Sequence, residues 1–397
     1  MTVEAMKVVC VDDDDFMLKA LGRMIRRMRP DWEIELVEDA NHWVVDVEHA
    51  PSVVISDLLM PGKNGEALLT ELRARCPETM RVLLTGDTTQ ELPRKAHTYA
   101  QFVLPKPFTH EDFEHLFLCV ERLYRMPFNI ECRKRLGALE EIPILPNSVR
   151  KLQQVIASPN CSMDAIAETI VHEPVLVAKI IQIANSSYFG FRRNTDSLHE
   201  AVARLGAVLV ESIAISLLAI HPSNVNSAED HQWVADCAFK SSSIARALVR
   251  ELGFPRQDQD RIFVANLLTS IGKILLLEDG ASKKEFLDYY HLQPGYADCD
   301  VISAYILIMW GYDIDIGDII LNQRLTSFSG EHLEQLGSLS CLANRIENCK
   351  QINEYRQLVQ EAPDSIQGAL KELETQVFSS LVSEILNFKG VSLWRFD

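Results

Sequence analysis

A chain of 397 residues is too long for one ordinary core and predicts two or three domains, while 47% hydrophobic and 24% charged residues exclude extended disorder and a fibrous class. A formal net charge of −17 and a pI near 5.1 exclude nucleic-acid binding through a broad basic face, because phosphate contacts require clustered Lys and Arg. The longest apolar windows, VLVESIAISLLAI and VISAYILIMW, fall short of the ~20 residues that cross a bilayer, and no basic segment followed by an apolar block opens the chain. The nine cysteines contain no CxxC pair, so the expectation is a cytoplasmic protein with reduced, mostly buried thiols and no membrane association.

In chain order, the first 125 residues alternate short apolar runs with amphipathic stretches. Strands are expected at KVVCV (7–11), WEIELV (32–37), SVVIS (52–56), MRVLLT (80–85) and QFVL (101–104), and helices at 16–29, 41–49, 65–75, about 90–99 and 110–124. The first, third and fourth runs are continuous Val, Ile and Leu, as a strand covered on both faces by crossover helices requires. The predicted fold class is therefore α/β, a doubly wound five-stranded parallel sheet over 1–125. The basic stretch GRMIRRMR (22–29) has apolar partners at helical spacing and reads as the solvated face of a helix.

The polar residues of this segment converge on one rim. Asp12 and Asp13 end the first strand, Asp57 the third and Thr85 the fourth, and Lys106 follows the fifth. Ligands of open α/β sheets bind at the carboxyl ends of strands. The run Asp12–Asp15 is open to two readings, a solvated acidic loop with one capping carboxylate or a cation site. Three carboxylates on one rim repel unless a cation sits among them, and an oxygen-only donor set suits Mg²⁺. Asp14 and Asp15 read as a turn residue and an N-cap for a helix beginning at Phe16.

VVCVDD, VVISDLLMPGKNG, VLLTG and LPKPF, in this order and spacing, resemble the receiver domain of bacterial response regulators over about residues 5–125. The resemblance implies that Asp57 accepts a phosphoryl group from a histidine kinase or phosphotransfer protein. It implies further that Asp13, Asp57 and the Leu59 carbonyl ligate Mg²⁺, that Asp12 holds a metal-bound water, and that Thr85 and Lys106 contact the phosphoryl oxygens. One position departs from the family. An aromatic residue commonly stands three before the lysine, and Val103 stands there instead, with Phe102 and Tyr99 nearby.

Residues 126–148 contain three prolines and read as a linker leading into the next domain. From 149 to 397 strand signals are scarce and an all-α domain with a helical tail is expected. Ser162 is a plausible N-cap, Pro174 a helix start, VLVAKIIQIA a buried helix, and SLHEAVARLGAVLVESIAISLLAI, AFKSSSIARALVREL and RIFVANLLTSIGKILLL further helices. Trp233, Trp310, His172 and His221 read as core or helix-end residues, and Asn185, Ser186 and Ser187 as capping and turning the chain.

IPILPNSVRKLQQVI, IVHEPVLVAKIIQIANSSYFGFRR and LHEAVARLGAVLV resemble the HDOD family, a non-catalytic relative of the HD metal-dependent phosphohydrolases. An active HD enzyme carries adjacent His and Asp where FVANLLTSIGKILLL has Thr269 and Ser270, and none of the eleven histidines is followed by aspartate. The resulting expectation is a response regulator whose phosphorylation controls a non-catalytic output domain that binds another protein, with a homodimer left open. The rival expectation is a cyclic-di-GMP phosphodiesterase of the HD-GYP type, which the missing ligands oppose. A transcription factor would need a terminal helix-turn-helix with a basic face, and the acidic tail offers none.

Overall fold

The computed structural model describes residues 6–86, 96, 98–139, 147–185, 189, 193, 195–218, 225–277, 292, 293, 295–324, 328, 331–349 and 351–374. The chain forms two compact units, one of residues 1–144 with 291–298 and 305–314, the other of 145–290, 299–304 and 315–397.

The first unit is built on five parallel strands, β1 (Lys7–Val11), β2 (Glu33–Val37), β3 (Val53–Asp57), β4 (Met80–Thr85) and β5 (Phe102–Pro105), in the order β2-β1-β3-β4-β5. Each falls within a residue of its expected bounds. Val9, Val11, Val54 and Leu83 enter a core with Leu68, Leu69 and Leu72, while the alternate residues Val8, Cys10, Val53 and Ile55 are equally buried. Burial on both faces is why these runs lack polar alternation.

Helix α1 (Asp15–Met28) buries Leu18, Leu21 and Ile25, and α2 (Gly65–Arg75) buries Leu68, Leu69 and Leu72. Helix α3 (His110–Arg125) opens on a reciprocal cap between Thr109 and Asp112 and buries Phe113 and Phe117. The Arg29 guanidinium, at the end of α1, spans Glu114 and Glu121 of α3 and fixes the two helices together.

Three expectations are corrected here. Residues 41–49 are not helical. Asp39 accepts from the Asn41 amide and Asp46 from the Glu48 and His49 amides, and these local bonds, with β-branched Val44, Val45 and Val47 between them, compete with a helical ladder. The linker stretch holds a helix, α4 (Ile130–Ala138), capped by Asn129. It is tied down by Arg81, whose buried guanidinium donates to the carbonyls of Tyr99, Pro77, Thr79 and Gly137. The N-cap of α1 is Asp14, which accepts from the Phe16 and Met17 amides, whereas Asp15 pairs with Lys19 one turn on. The helix expected near 90–99 lies outside the described residues.

The second unit is helical throughout its described residues: α5 (Asn147–Ala157), α6 (Met163–Ile170), α7 (Pro174–Ala184), α8 (Leu198–Leu205), α9 (Ala207–Leu218), α10 (Val225–Glu251), α11 (Arg256–Leu268), α12 (Ser270–Leu277), part of α13 (Asp298–Met309), α14 (Ile314–Leu321), α15 (His332–Glu347) and α16 (Ile352–Glu361). Helix α10 packs against α11, α12 and α15. Ser162 caps α6 through the Ala165 amide and Pro174 begins α7, as expected. Asn185 ends α7, and its carboxamide exchanges both bonds with the Thr195 backbone. Ser186, Ser187 and His221 lie outside the described residues, and His172 is exposed just past the end of α6.

The expected helix across 197–220 is two helices divided at Gly206, and that across 261–277 is divided between Thr269 and Ser270. Trp233 is not core: it is 64% exposed because α10 buries Val234, Ala235 and Ala238, a stripe from which position 233 is displaced.

A Cβ on Gly137 would lie 1.8 Å from the Pro77 carbonyl oxygen, so α4 can approach the chain before β4 only with glycine there. Gly137→Ala should destabilise the first unit by about 1–3 kcal/mol, the range for overpacking. A denaturant titration followed by near-UV circular dichroism reads the loss.

Candidate functional site

The order β2-β1-β3-β4-β5 makes the chain leave β1 for opposite sides of the sheet, and the crevice between the ends of β1 and β3 is the ligand position of this topology. Asp12 and Asp57 stand there. Parallel register sets Val11 beside Ser56, Asp57 beside Leu84, and Thr85 beside Pro105, so all these strands end on the same rim. The Lys106 amide donates to the Thr85 carbonyl at 2.6 Å, which extends β5 by one residue and brings the lysine side chain across.

Lys106 Nζ lies 2.6 Å from Asp57 Oδ1 and 3.3 Å from Asp12 Oδ2. Asp57 Oδ2 accepts from the Leu59 amide at 2.9 Å, and Asp12 Oδ1 from the Asp14 amide at 2.9 Å. Both carboxylates are buried, as is Thr85 at the end of β4. Asp13 follows Asp12 with its side chain exposed. Four of the residues singled out from the sequence, Asp12, Asp57, Leu59 and Lys106, are thus joined by direct contacts, and Thr85 reaches the group through the Lys106 backbone.

Burial holds the Asp12 carboxyl above the usual carboxylate range, and neither the Asp14 amide nor Lys106 fully offsets it. Burial depresses the Lys106 ammonium, but the carboxylates of Asp57 and Asp12 outweigh it and its pKa is raised. Among the described residues no three His, Cys, Asp or Glu side chains close around one point. Magnesium does not require that, since it binds through one or two carboxylates and keeps several waters. Two buried carboxylates, an exposed third and the Leu59 backbone at one strand end fit such an ion.

Two side chains at this rim escaped the sequence reading. Phe16 is 82% exposed and Leu59 78% exposed, one on the first turn of α1 and the other two residues beyond Asp57. Their apolar character predicts burial, and only the placement of both segments on the rim shows otherwise.

In the second unit the sequence places attention on Thr269 and Ser270. The Thr269 hydroxyl donates to the Ala265 carbonyl at 2.7 Å and accepts from Gln323, and the Ser270 hydroxyl donates to the Leu267 carbonyl at 2.6 Å. Ser303 completes the cluster, accepting from the Gly272 amide and lying within hydrogen-bond reach of the Thr269 and Cys299 carbonyls.

Comparison with known proteins matches residues 8–117 to the response regulator receiver domain and residues 142–293 to the HDOD domain. The chain is 28% identical over 142 residues to the regulatory protein VanRB of Enterococcus faecalis, covering 35% of this chain and 61% of that protein. It is 24% identical over 138 residues to an uncharacterized protein of Treponema pallidum, covering 34% of this chain and 26% of that protein. It thus spans less than two thirds of either relative. Among solved structures it is similar to the signal receiver domain of an HD domain-containing protein from Pseudomonas fluorescens, at 21% identity and a TM-score of 0.28, covering 31% of this chain and 92% of that one. It is also similar to a putative metal-dependent phosphohydrolase from Shewanella amazonensis, at 18% identity and a TM-score of 0.44, covering 67% and 99% respectively.

The raised Asp12 pKa has a definite sign. The folded protein holds that proton more tightly than the unfolded chain, so without metal stability falls as pH rises from the unfolded value of about 4 through the raised one. In chelator at pH 7, Asp12→Asn should melt above wild type, and the difference should vanish below about pH 4. Thermal melts across that range check it.

Proposed function

Starting from a chain that carries a response regulator receiver domain followed by an HDOD domain, we propose that it is a phosphorylation-controlled regulator in which Asp57 is the phosphoacceptor and the helical domain acts by binding another protein. The observation that carries this reading is the Lys106 ammonium lying against both Asp57 and Asp12 in the crevice between β1 and β3.

A receiver domain implies a kinase or phosphotransfer protein as a donor. An Asp57 oxygen attacks phosphorus of a phosphohistidine, the P–N bond breaks, and the imidazole leaves with the electron pair and is neutral once protonated. Attack needs the carboxylate ionised and aimed, and the Leu59 amide on Oδ2 fixes its plane. Lys106 neutralises charge on the group being transferred, so the protein's contribution is positioning and electrostatics. Thr85, at the end of β4, would contact a further phosphoryl oxygen. Asp13, Asp57 and the Leu59 carbonyl, with Asp12 acting through a bound water, would hold Mg²⁺, which would supply countercharge to the phosphoryl oxygens. The exposed Phe16 and Leu59 give the rim an apolar surface suited to a protein donor.

For the helical domain, the commitment of Thr269 and Ser270 to backbone carbonyls supports binding rather than hydrolysis. Neutral hydroxyls bring no charge to offset desolvation of a divalent ion.

Acetyl phosphate with Mg²⁺ should label wild type and leave Asp57→Asn unlabelled, as read on a phosphate-affinity gel. Labelling of the mutant at wild-type level would remove the phosphoacceptor assignment. Asp13→Ala should abolish Mg²⁺ binding measured by tryptophan fluorescence or calorimetry, whereas Asp15→Ala should retain it. Phosphorylated protein supplied with Mn²⁺ or Fe²⁺ should leave cyclic-di-GMP intact over hours, and turnover dependent on Asp57 would establish the enzyme instead.

A further inference from the structure

The first unit includes residues 305–314, from far beyond the receiver sequence. Within that unit they contact α3, and Tyr305 lies beside Arg81 of β4 and Gln101 just before β5. His115, Cys119 and Arg122 recur on α3 at i, i+4 and i+7 and form one stripe. Arg122 donates to the carbonyls of Gly311 at 2.8 Å and Tyr312 at 2.7 Å and lies 3.8 Å from the Asp313 carboxylate. Gly311 adopts φ +90°, and a Cβ there would fall 2.3 Å from the His115 ring. Its positive φ favours glycine, and an added Cβ would require the His115 ring to shift. Tyr305 is buried, with Gln101, the residue before β5, among its polar neighbours.

Strand β5 links this contact to the carboxylate site. Alternation puts Phe102, Leu104 and Lys106 on one face of the strand and Val103 on the other, where it packs against the core of Val54, Leu69 and Leu83. The Phe102 ring meets His115 edge-on, with centroids 6.5 Å apart and planes at 74°. One strand therefore carries Lys106, in contact with Asp57, and Phe102, in contact with the histidine beneath Gly311. Burial and the neighbouring Arg122 guanidinium hold His115 below the usual histidine range, which favours the neutral ring against that cation.

We propose that residues 305–314 are the read-out segment of the receiver, and that the state of Asp57 sets how tightly they dock through Lys106, Phe102 and His115 rather than through the position of Val103. This rests on Asp57 being the phosphoacceptor. A phosphoryl group on Asp57 moves the Lys106 ammonium onto the new oxygens, β5 moves with it, and the ring contact at its other end is remade.

Hydrogen exchange by mass spectrometry on the full chain, with and without beryllofluoride and Mg²⁺, tests the inference. In wild type, peptides over 305–314 should change their exchange rate by at least about fivefold, the lower end of common coupling strengths, together with peptides over Asp57. His115→Ala should suppress the change at 305–314 while acetyl phosphate still labels Asp57 fully. Gly311→Ala should raise exchange at 305–314 in both states. A response at Asp57 with none at 305–314, or a response at 305–314 that survives His115→Ala, overturns the route. Silence at both places in wild type overturns the phosphoacceptor assignment and the route with it.

Discussion

The receiver half of this protein depends on one unfavourable pairing, the carboxylates of Asp12 and Asp57 held side by side at the ends of β1 and β3. Asp57 adds to the burial that already raises the Asp12 carboxyl, because like charges repel. Parallel strands with β1 next to β3 leave no other place for them, because register fixes both strand ends on one rim. The Lys106 ammonium, brought over from the far edge of the sheet, supplies the compensating charge. The sheet is closed electrostatically between strands that are not neighbours. The same arrangement makes the site responsive, since any group that alters the charge on Asp57 alters what the lysine, and the strand behind it, are held by.

The helical unit handles buried polarity differently. Ser212, Ser242, Ser243, Thr269 and Ser338 each bond the carbonyl four residues earlier on their own helix. Hydroxyls satisfied in this way allow close helix packing. Among its carboxylates, Asp236 pairs with Lys179 and Asp260 with Arg246. Phe263 packs edge-on against Phe189 and Phe239, and Arg246 covers the Phe189 ring.

Much of this was legible in the sequence because it is local. Strand bounds follow from continuous apolar runs, and the convergence of Asp12, Asp57, Thr85 and Lys106 follows from strand ends in a parallel sheet. What escaped depends on competition or distance. Residues 41–49 have a helical spacing of apolar positions, but Asp39 and Asp46 divert the amides a helix needs. The cap of α1 differs by one residue within four identical side chains, where composition cannot choose between them. Arg122 finds its acceptors 189 and 190 residues away, and nothing near either partner signals the other. The exposure of Phe16 and Trp233 is likewise a matter of which stripe the helix turns inward.

The unwound crossover at 41–49 bears on how the receiver comes apart. Strand β2 is an edge strand whose sole sheet neighbour is β1, and the chain that follows it exposes Val44 and Val47 instead of covering the strand with a regular helix. Peeling it away sacrifices one ladder, whereas removing β3 would break two. The β2 edge and the exposed chain after it therefore form a weak margin, whereas Asp57 ends a strand paired on both sides and belongs to the more resistant centre.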